Sequence, residues 1–255
     1  MNEMGVQPAA VPVPQEPGLS QWQRVANTFV APQKTFEDIQ RGNRSWWLPL
    51  IISALFTYIL FGGIMQRIGI QQVLDNAIRM NPRAAERLAQ ATPEQRELNN
   101  RINVDVIEGD FIGNPVLGIA VIAILSAGLL GTINFVFGGK ATYGSIFAVL
   151  YYASLPQLVK ALMGTIVIYF IAPESFDINN FAPTNLGAFL DPVDTNRALY
   201  ALATSMDAVT IWTLVLLSMG AAMVAGVKRT SGYIAVFGWW AIFVLIRVGW
   251  AAAMG

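Results

Sequence analysis

The chain has 255 residues, of which 55% are hydrophobic and only 13% are charged, whereas soluble domains carry about 25% charged residues. Lysine plus arginine equals aspartate plus glutamate at 16 each, so no basic excess favours nucleic acid as a partner. The composition predicts an all-α polytopic membrane protein in a lipid bilayer. Cysteine and histidine are both absent, which excludes thiol and imidazole catalysis and the usual zinc ligand sets. We therefore predict no enzyme activity, no catalytic residues, no metal and no cofactor.

The N-terminal region divides into two parts. Residues 1–18 are rich in proline, alanine and valine, which predicts a disordered tail and no cleavable signal peptide. Residues 19–44 predict two short cytoplasmic amphipathic helices, one carrying Trp22, Val25 and Phe29, the other running from Thr35 to Gly42. Pro32 separates them. Their apolar faces, with the basic residues Arg24, Lys34, Arg41 and Arg44, fit either an interfacial segment on the inner leaflet or helices packed beneath the bundle.

Residues 45–254 predict a bundle of five transmembrane helices. The spans run over about 46–66, 115–137, 143–171, 208–227 and 232–254, each long enough to cross ~30 Å of hydrocarbon. Between them lie two helical excursions, at residues 67–114 and 172–207. The basic residues of the N-terminal segment and of the turns at Lys140 and Lys228-Arg229 share one side of the membrane. The positive-inside rule then places the N-terminus in the cytoplasm and the C-terminus outside, in a cell membrane.

Two charged residues, Lys160 and Arg247, fall inside predicted spans. Charged residues are rare there, so these two are the first candidates for a functional site. With a third span that ends at residue 171, Lys160 lies about 16 Å from the outer end of its helix, and Pro156 predicts a kink beside it. Asp207 marks the outer end of the fourth span. We predict that Asp207 is the counter-ion of Lys160 or Arg247. The cluster is then an interhelical clamp or a polar pocket for an ion, a lipid headgroup or a small solute; alternatively, Arg247 reaches outward to a lipid phosphate.

Small residues recur four positions apart in the second and fourth spans, as in Ala127 with Gly131 and Ala221 with Ala225. This spacing lets helices approach closely, either within the bundle or between two copies in a homo-oligomer. The acidic loop residues around Asp105 and Asp191 lack the ligand spacing of a calcium loop, so we interpret them as solvated acids.

Short motifs around the first, third and fourth spans are similar to those of a known family. They comprise Phe29, Pro32, Thr35-Phe36 and Ile39 before the first span, Leu155-Pro156 in the third, the segment from Met206-Asp207 to Trp212 and Leu214, and Gly220. This pattern resembles the Yip family, membrane proteins named for their interaction with Ypt and Rab GTPases. The resemblance implies five spans with a cytoplasmic N-terminus, and the long polar loop 67–114 resembles the bacterial branch.

The resemblance implies a non-enzymatic adaptor or scaffold, an accessory to another membrane system such as a transporter. Partners would be other membrane proteins, bound through the N-terminal amphipathic segment, and deletion of residues 20–42 would abolish their binding while the bundle still folds. The alternative is a small-solute or ion transporter or channel that uses the polar site around Lys160, Asp207 and Arg247.

Overall fold

A computed structural model describes residues 18–254 of the chain. The described residues form α-helices without strands, and five helical segments are long and apolar enough to cross a membrane, so the all-α polytopic fold class is confirmed. The predicted disordered tail lies, apart from Gly18, outside the described residues. The helices are α1 (Gln21–Val30), α2 (Pro32–Gln40), α3 (Trp47–Arg67), α4 (Ile70–Arg79), α5 (Pro82–Gln90), α6 (Pro93–Gly131), α7 (Tyr143–Ala153), α8 (Gln157–Val167), α9 (Arg197–Ser205), α10 (Ala208–Ala225) and α11 (Arg229–Met254).

The two N-terminal helices form part of the folded bundle. Helix α1 begins with a capping box between Ser20 and Gln23. Helix α2 starts at Pro32 rather than at Thr35, because proline is well suited to the first helical position. Phe36 and Ile39 are almost fully buried where α2 packs against α7 and α10. Of the two interpretations of this segment, the structure therefore favours helices packed beneath the bundle.

Helix α6 is much longer than the second predicted span. With the short π-helical segment Thr132–Val136 it forms 44 continuous residues, or about 66 Å at the α-helical rise, twice the ~30 Å of a bilayer core. The helix begins after the Thr92 cap and runs through Pro115, the position at which the sequence predicts the span to start. Proline is tolerated here because it removes only one backbone hydrogen bond, and the many other hydrogen bonds of the long helix remain. We call α5 and residues 93–110 of α6 the projecting arm.

The third crossing is broken into α7 and α8. The chain leaves the α-helix at residues 154–156 and resumes it at Gln157, next to Pro156, where the sequence predicts a kink. Helix α8 then ends at Val167, four residues before the predicted end at 171. Lys160 therefore lies about 10 Å, not 16 Å, from the end of its helix.

The bundle has two ends of different character. The end that bears α4, α5, α9 and residues 168–207 is called the loop end, and the end that bears α1, α2 and the turns after α6 and α10 is called the N-terminal end. Helix α7 is buried from Ser145 to Ala153, in the core of the N-terminal half. Gly226, with φ +67, ends α10 in the left-handed conformation and lets α11 return toward the loop end.

Candidate functional site

Lys160 and Asp207 form a direct ion pair at the loop end. The Nζ atom of Lys160 donates a hydrogen bond to Oδ2 of Asp207 at 3.0 Å. The two side chains differ in burial, since Asp207 is 2% exposed and Lys160 is 21% exposed. The pair joins α8 to the start of α10.

A loop segment completes the surroundings of Asp207. Thr184 donates a hydrogen bond from its hydroxyl to Oδ2 of Asp207 at 2.6 Å. Its position is fixed by backbone pairing, because the N–H of Ala208 donates to the carbonyl of Thr184 at 2.9 Å and the N–H of Leu186 donates to that of Met206 at 3.3 Å. The backbone N–H of Thr210 donates to the other oxygen, Oδ1, at 2.8 Å, so Asp207 also caps α10.

These contacts keep Asp207 ionised. Burial alone would raise the pKa of Asp207, but the hydrogen bonds from Thr184, Thr210 and Lys160 together with the charge of Lys160 hold it below its ordinary value. The ion pair is thus a fixed element of the site, with no net charge of its own.

Arg247 lies in the same region without contacting Asp207. Its Nη1 atom donates to the hydroxyl of Ser205 at 3.1 Å and its Nη2 atom to that of Thr204 at 2.9 Å. Both hydroxyls donate their own hydrogens to carbonyls one turn earlier in α9, which leaves their lone pairs to accept from the guanidinium. Arg247 therefore attaches α11 to α9 through neutral groups. The carboxylate pairs with Lys160 and not with Arg247.

Lys160 and Arg247 line a common polar cavity of about 250 Å³. Its other walls come from the loop, from α9 and α10, and from the apolar side of α11. The lining includes Asn180, Asn185, Thr210, Trp240, Phe243 and Val244. The structure thus brings Lys160 and Arg247 of the predicted cluster into one cavity. Asp207 is not part of the lining and is connected to the cavity through its ion pair with Lys160.

A hydrogen-bonded network supports the cavity from the loop side. The side-chain amide of Asn185 donates to Oδ1 of Asn180 at 2.6 Å, and that of Asn180 donates to the hydroxyl of Tyr200 at 3.2 Å. Tyr200 in turn donates to Oδ2 of Asp177 at 3.2 Å. Burial raises the pKa of Tyr200, so it remains a neutral hydroxyl that can play both roles.

The motif residues before the first span meet those of the fourth span. The rings of Phe29 and Trp212 contact each other edge to face, with centroids 5.8 Å apart. Phe36 packs on the backbone of Gly220, and Pro32 begins the helix that carries it. Pro156 lies at the break before α8. Residues that are distant in sequence thus form one contact surface between α1, α2 and α10.

A family model described as the Yip1 domain matches residues 26–251, nearly the whole described bundle. The chain belongs to the Yip1 domain family. No curated protein and no solved structure matched the chain in the corresponding searches. The Yip resemblance is therefore confirmed, and this Yip1 domain is a multi-pass membrane protein.

A second buried ion pair, which sequence reasoning missed, lies at the N-terminal end of this Yip1 domain. The Nε atom of Arg24 lies 3.5 Å from Oδ2 of Asp38, with side chains 1% and 4% exposed. Arg24 also donates to the carbonyls of Asn43 and Ser45 at 2.8 and 3.1 Å, and its guanidinium lies over the ring of Tyr152. Arg24 is thus unavailable to lipid headgroups, which argues against the interfacial one of the two predicted alternatives.

Sequence reasoning also missed the neutral partners of the polar cavity. Thr184 and Asn185 lie in an irregular loop, where no periodicity predicts which side chains face inward. The polar pair Thr204-Ser205 next to Met206-Asp207 is the signal that could have shown a partner for Arg247. Among residues 18–254, no group of three acidic side chains is placed to hold a metal ion.

Proposed function

We propose that this Yip1 domain protein is a non-enzymatic membrane adaptor, an accessory to another membrane protein. The observation that carries the proposal is the projecting arm. About half of the 44-residue helical segment extends past the length that a bilayer requires. Although Gln71 and Asn100 hydrogen-bond this stretch to α4, most of its side chains are exposed and offer surface for recognition without a catalytic group.

The arm carries an exposed apolar face. Leu98, Ile102 and Val106 are four residues apart and therefore lie on one side of α6, and each is about half exposed. Arg101 and Asp105 flank this face. Such a row is suited to pack against an amphipathic helix of a partner.

The arm replaces the N-terminal helices as the proposed partner surface. Phe36 and Ile39 of α2 are core residues, and Arg24 of α1 is buried in its ion pair. Removal of residues 20–42 would open the core, so loss of a partner after that deletion would report unfolding and not recognition.

Site-specific crosslinking tests the adaptor role. A photo-crosslinking residue at Asn99, on the arm, is expected to trap one membrane protein in native membranes, and the trapping should fall after Ile102→Gln with Val106→Gln. Val30→Gln is the control, because Val30 is also an exposed apolar residue and lies at the other end of the bundle. Equal trapping by the arm variant and the control would overturn the arm as the partner surface.

Solute or ion transport is the second candidate, favoured by the cationic cavity at Lys160 and Arg247. It predicts solute flux into liposomes that disappears in Lys160→Met. On the N-terminal side of this region, Leu155 and Leu216 are buried core residues, and a transport path would have to open between them. Wild-type liposomes without flux would remove this candidate.

We further propose that the protein lies in a bacterial inner membrane with its N-terminal end in the cytoplasm. The basic residues Lys34, Lys140, Lys228 and Arg229 at that end support this orientation. The chain has no cysteine, so a single introduced cysteine is the one thiol of the protein that a reagent can label. In intact cells an impermeant thiol reagent should label Asn99→Cys and not Lys34→Cys, and the reverse pattern would invert the topology.

A further inference from the structure

The polar cavity adjoins an apolar groove. The groove has a volume of about 270 Å³ and lies between α6, α7, α10 and α11. Trp240 and Phe243 line both spaces. We propose that the two together bind one anionic phospholipid, with its phosphate at Arg247 and one acyl chain in the groove. This inference does not depend on the adaptor role.

The charge of the cavity selects an anion. Lys160 is neutralised by Asp207, whereas no carboxylate of the described residues forms an ion pair with Arg247. A guanidinium has five N–H donors, and the described residues accept from Arg247 at two positions, Thr204 and Ser205. The remaining donors match the oxygens of a phosphate group, which arginine binds in a bidentate manner.

A buried acceptor on a residue that lines the cavity favours a headgroup with a hydroxyl. The Oδ1 atom of Asn185 is buried and accepts no hydrogen bond from the described part of the chain. A buried acceptor without a donor costs free energy that a ligand hydroxyl can recover. A glycerol phosphate headgroup carries both the phosphate for Arg247 and a hydroxyl for Asn185.

The groove is suited to an acyl chain in composition and in length. Its walls are almost entirely apolar and include Leu125, Gly128, Leu150, Leu217 and Val236. Trp239 closes one side by donating from Nε1 to the hydroxyl of Thr132 at 3.0 Å. From Arg247 to Val236 the helical rise is about 16 Å, close to the ~15 Å depth of one leaflet.

The depth of Arg247 fits a headgroup. It lies seven residues before the end of α11 at Met254, or about 10 Å by helical rise. Trp250, three residues further along, is exposed, and tryptophan is enriched at the headgroup level. Phe243 is also half exposed, so the shared wall opens to the lipid side of the bundle.

Equilibrium binding to the purified full chain in a nonionic detergent tests the proposal. The probes are dioleoyl phosphatidylglycerol, a diacylglycerol with the same chains, and two soluble competitors, glycerol 3-phosphate and inorganic phosphate. The phosphatidylglycerol should bind and the diacylglycerol should not. The soluble anions should compete weakly, and competition as strong as that of the lipid would overturn the acyl-chain half of the proposal in favour of a free-anion site.

Variants test each half of the site. Arg247→Gln should weaken phosphatidylglycerol binding about tenfold, the loss expected for one charge-assisted contact, while Arg247→Lys keeps the charge and should retain more affinity. Gly128→Leu should reduce lipid binding, because its side chain fills the groove beside Trp239. Gly238→Leu on α11 faces open space and should bind as the wild type does. Wild-type affinity in a monodisperse Arg247→Gln or Gly128→Leu protein would overturn the proposal.

Discussion

Phe36 lies against the backbone of Gly220, so closely that a β-carbon at position 220 would lie 2.9 Å from two carbons of its ring. The same β-carbon would lie 2.6 Å from Cγ1 of Val149 on α7. Gly220 thus permits α2, α7 and α10 to meet at one point. This packing explains two residues of the Yip-like sequence pattern, since the large ring of Phe36 is matched by the absence of a side chain at Gly220.

Replacing Gly220 by alanine should destabilise the protein. Overpacking of a tight core costs about 1–3 kcal/mol, and here both neighbours, Phe36 and Val149, are buried and have little room to move. Thermal unfolding in detergent measures the effect. Gly238→Ala is the control, because nothing lies within 4 Å of its added carbon, and an equal midpoint for the two variants would contradict the packing argument.

A double-mutant cycle should detect the ion pair between Lys160 and Asp207. Lys160→Met leaves the buried carboxylate without its cation and should cost more stability than Asp207→Asn, which leaves a partly exposed ammonium. The double variant should recover part of the loss, with a coupling energy of about 0.5–3 kcal/mol. Denaturation in detergent provides all four values. Additive losses would show that the two groups act independently.

The sequence predicts the spans of this fold better than their ends. Long apolar runs locate the five crossings, and Pro156 marks the break in the third, because these features act locally along the chain. The run of α6 through Pro115 could not be predicted, since proline is tolerated in a long membrane helix but is also a common first residue.

The candidate site was predictable in its charges and not in its neutral groups. Lys160, Asp207 and Arg247 are conspicuous because charge is rare in apolar spans. Which cation pairs with Asp207 depends on the loop that carries Thr184 and on the hydroxyls of α9, and both follow from tertiary folding. For the same reason, the periodicity of α1 cannot distinguish the buried Arg24 from a solvent-facing arginine.

Acid should weaken the contribution of Asp207. Its pKa is lower in the folded protein than its ordinary value, because three hydrogen bonds and Lys160 outweigh the effect of burial. Such a group stabilises the folded state above about pH 3.9, and the contribution is lost as the pH falls through the lower folded value. The stability difference between wild type and Asp207→Asn should therefore shrink as the pH is lowered from about 5 through the folded pKa of Asp207. A stability difference that grows toward acid pH would contradict a lowered pKa for Asp207 in the folded protein.

The N-terminal helices should be required for folding. Arg24→Leu leaves Asp38 as a buried carboxylate without its cation, and breaking a buried pair in this way costs about 3–5 kcal/mol. Arg24→Lys should recover little, since one ammonium cannot reach Asp38 and also donate to the carbonyls of Asn43 and Ser45. Lys34→Leu is the control, because Lys34 is exposed on the neighbouring helix. Size-exclusion profiles and melting in detergent measure folding. If a protein lacking residues 20–42 stayed monodisperse and melted as the wild type does, α1 and α2 would not be needed for folding. They would then again be the proposed partner surface.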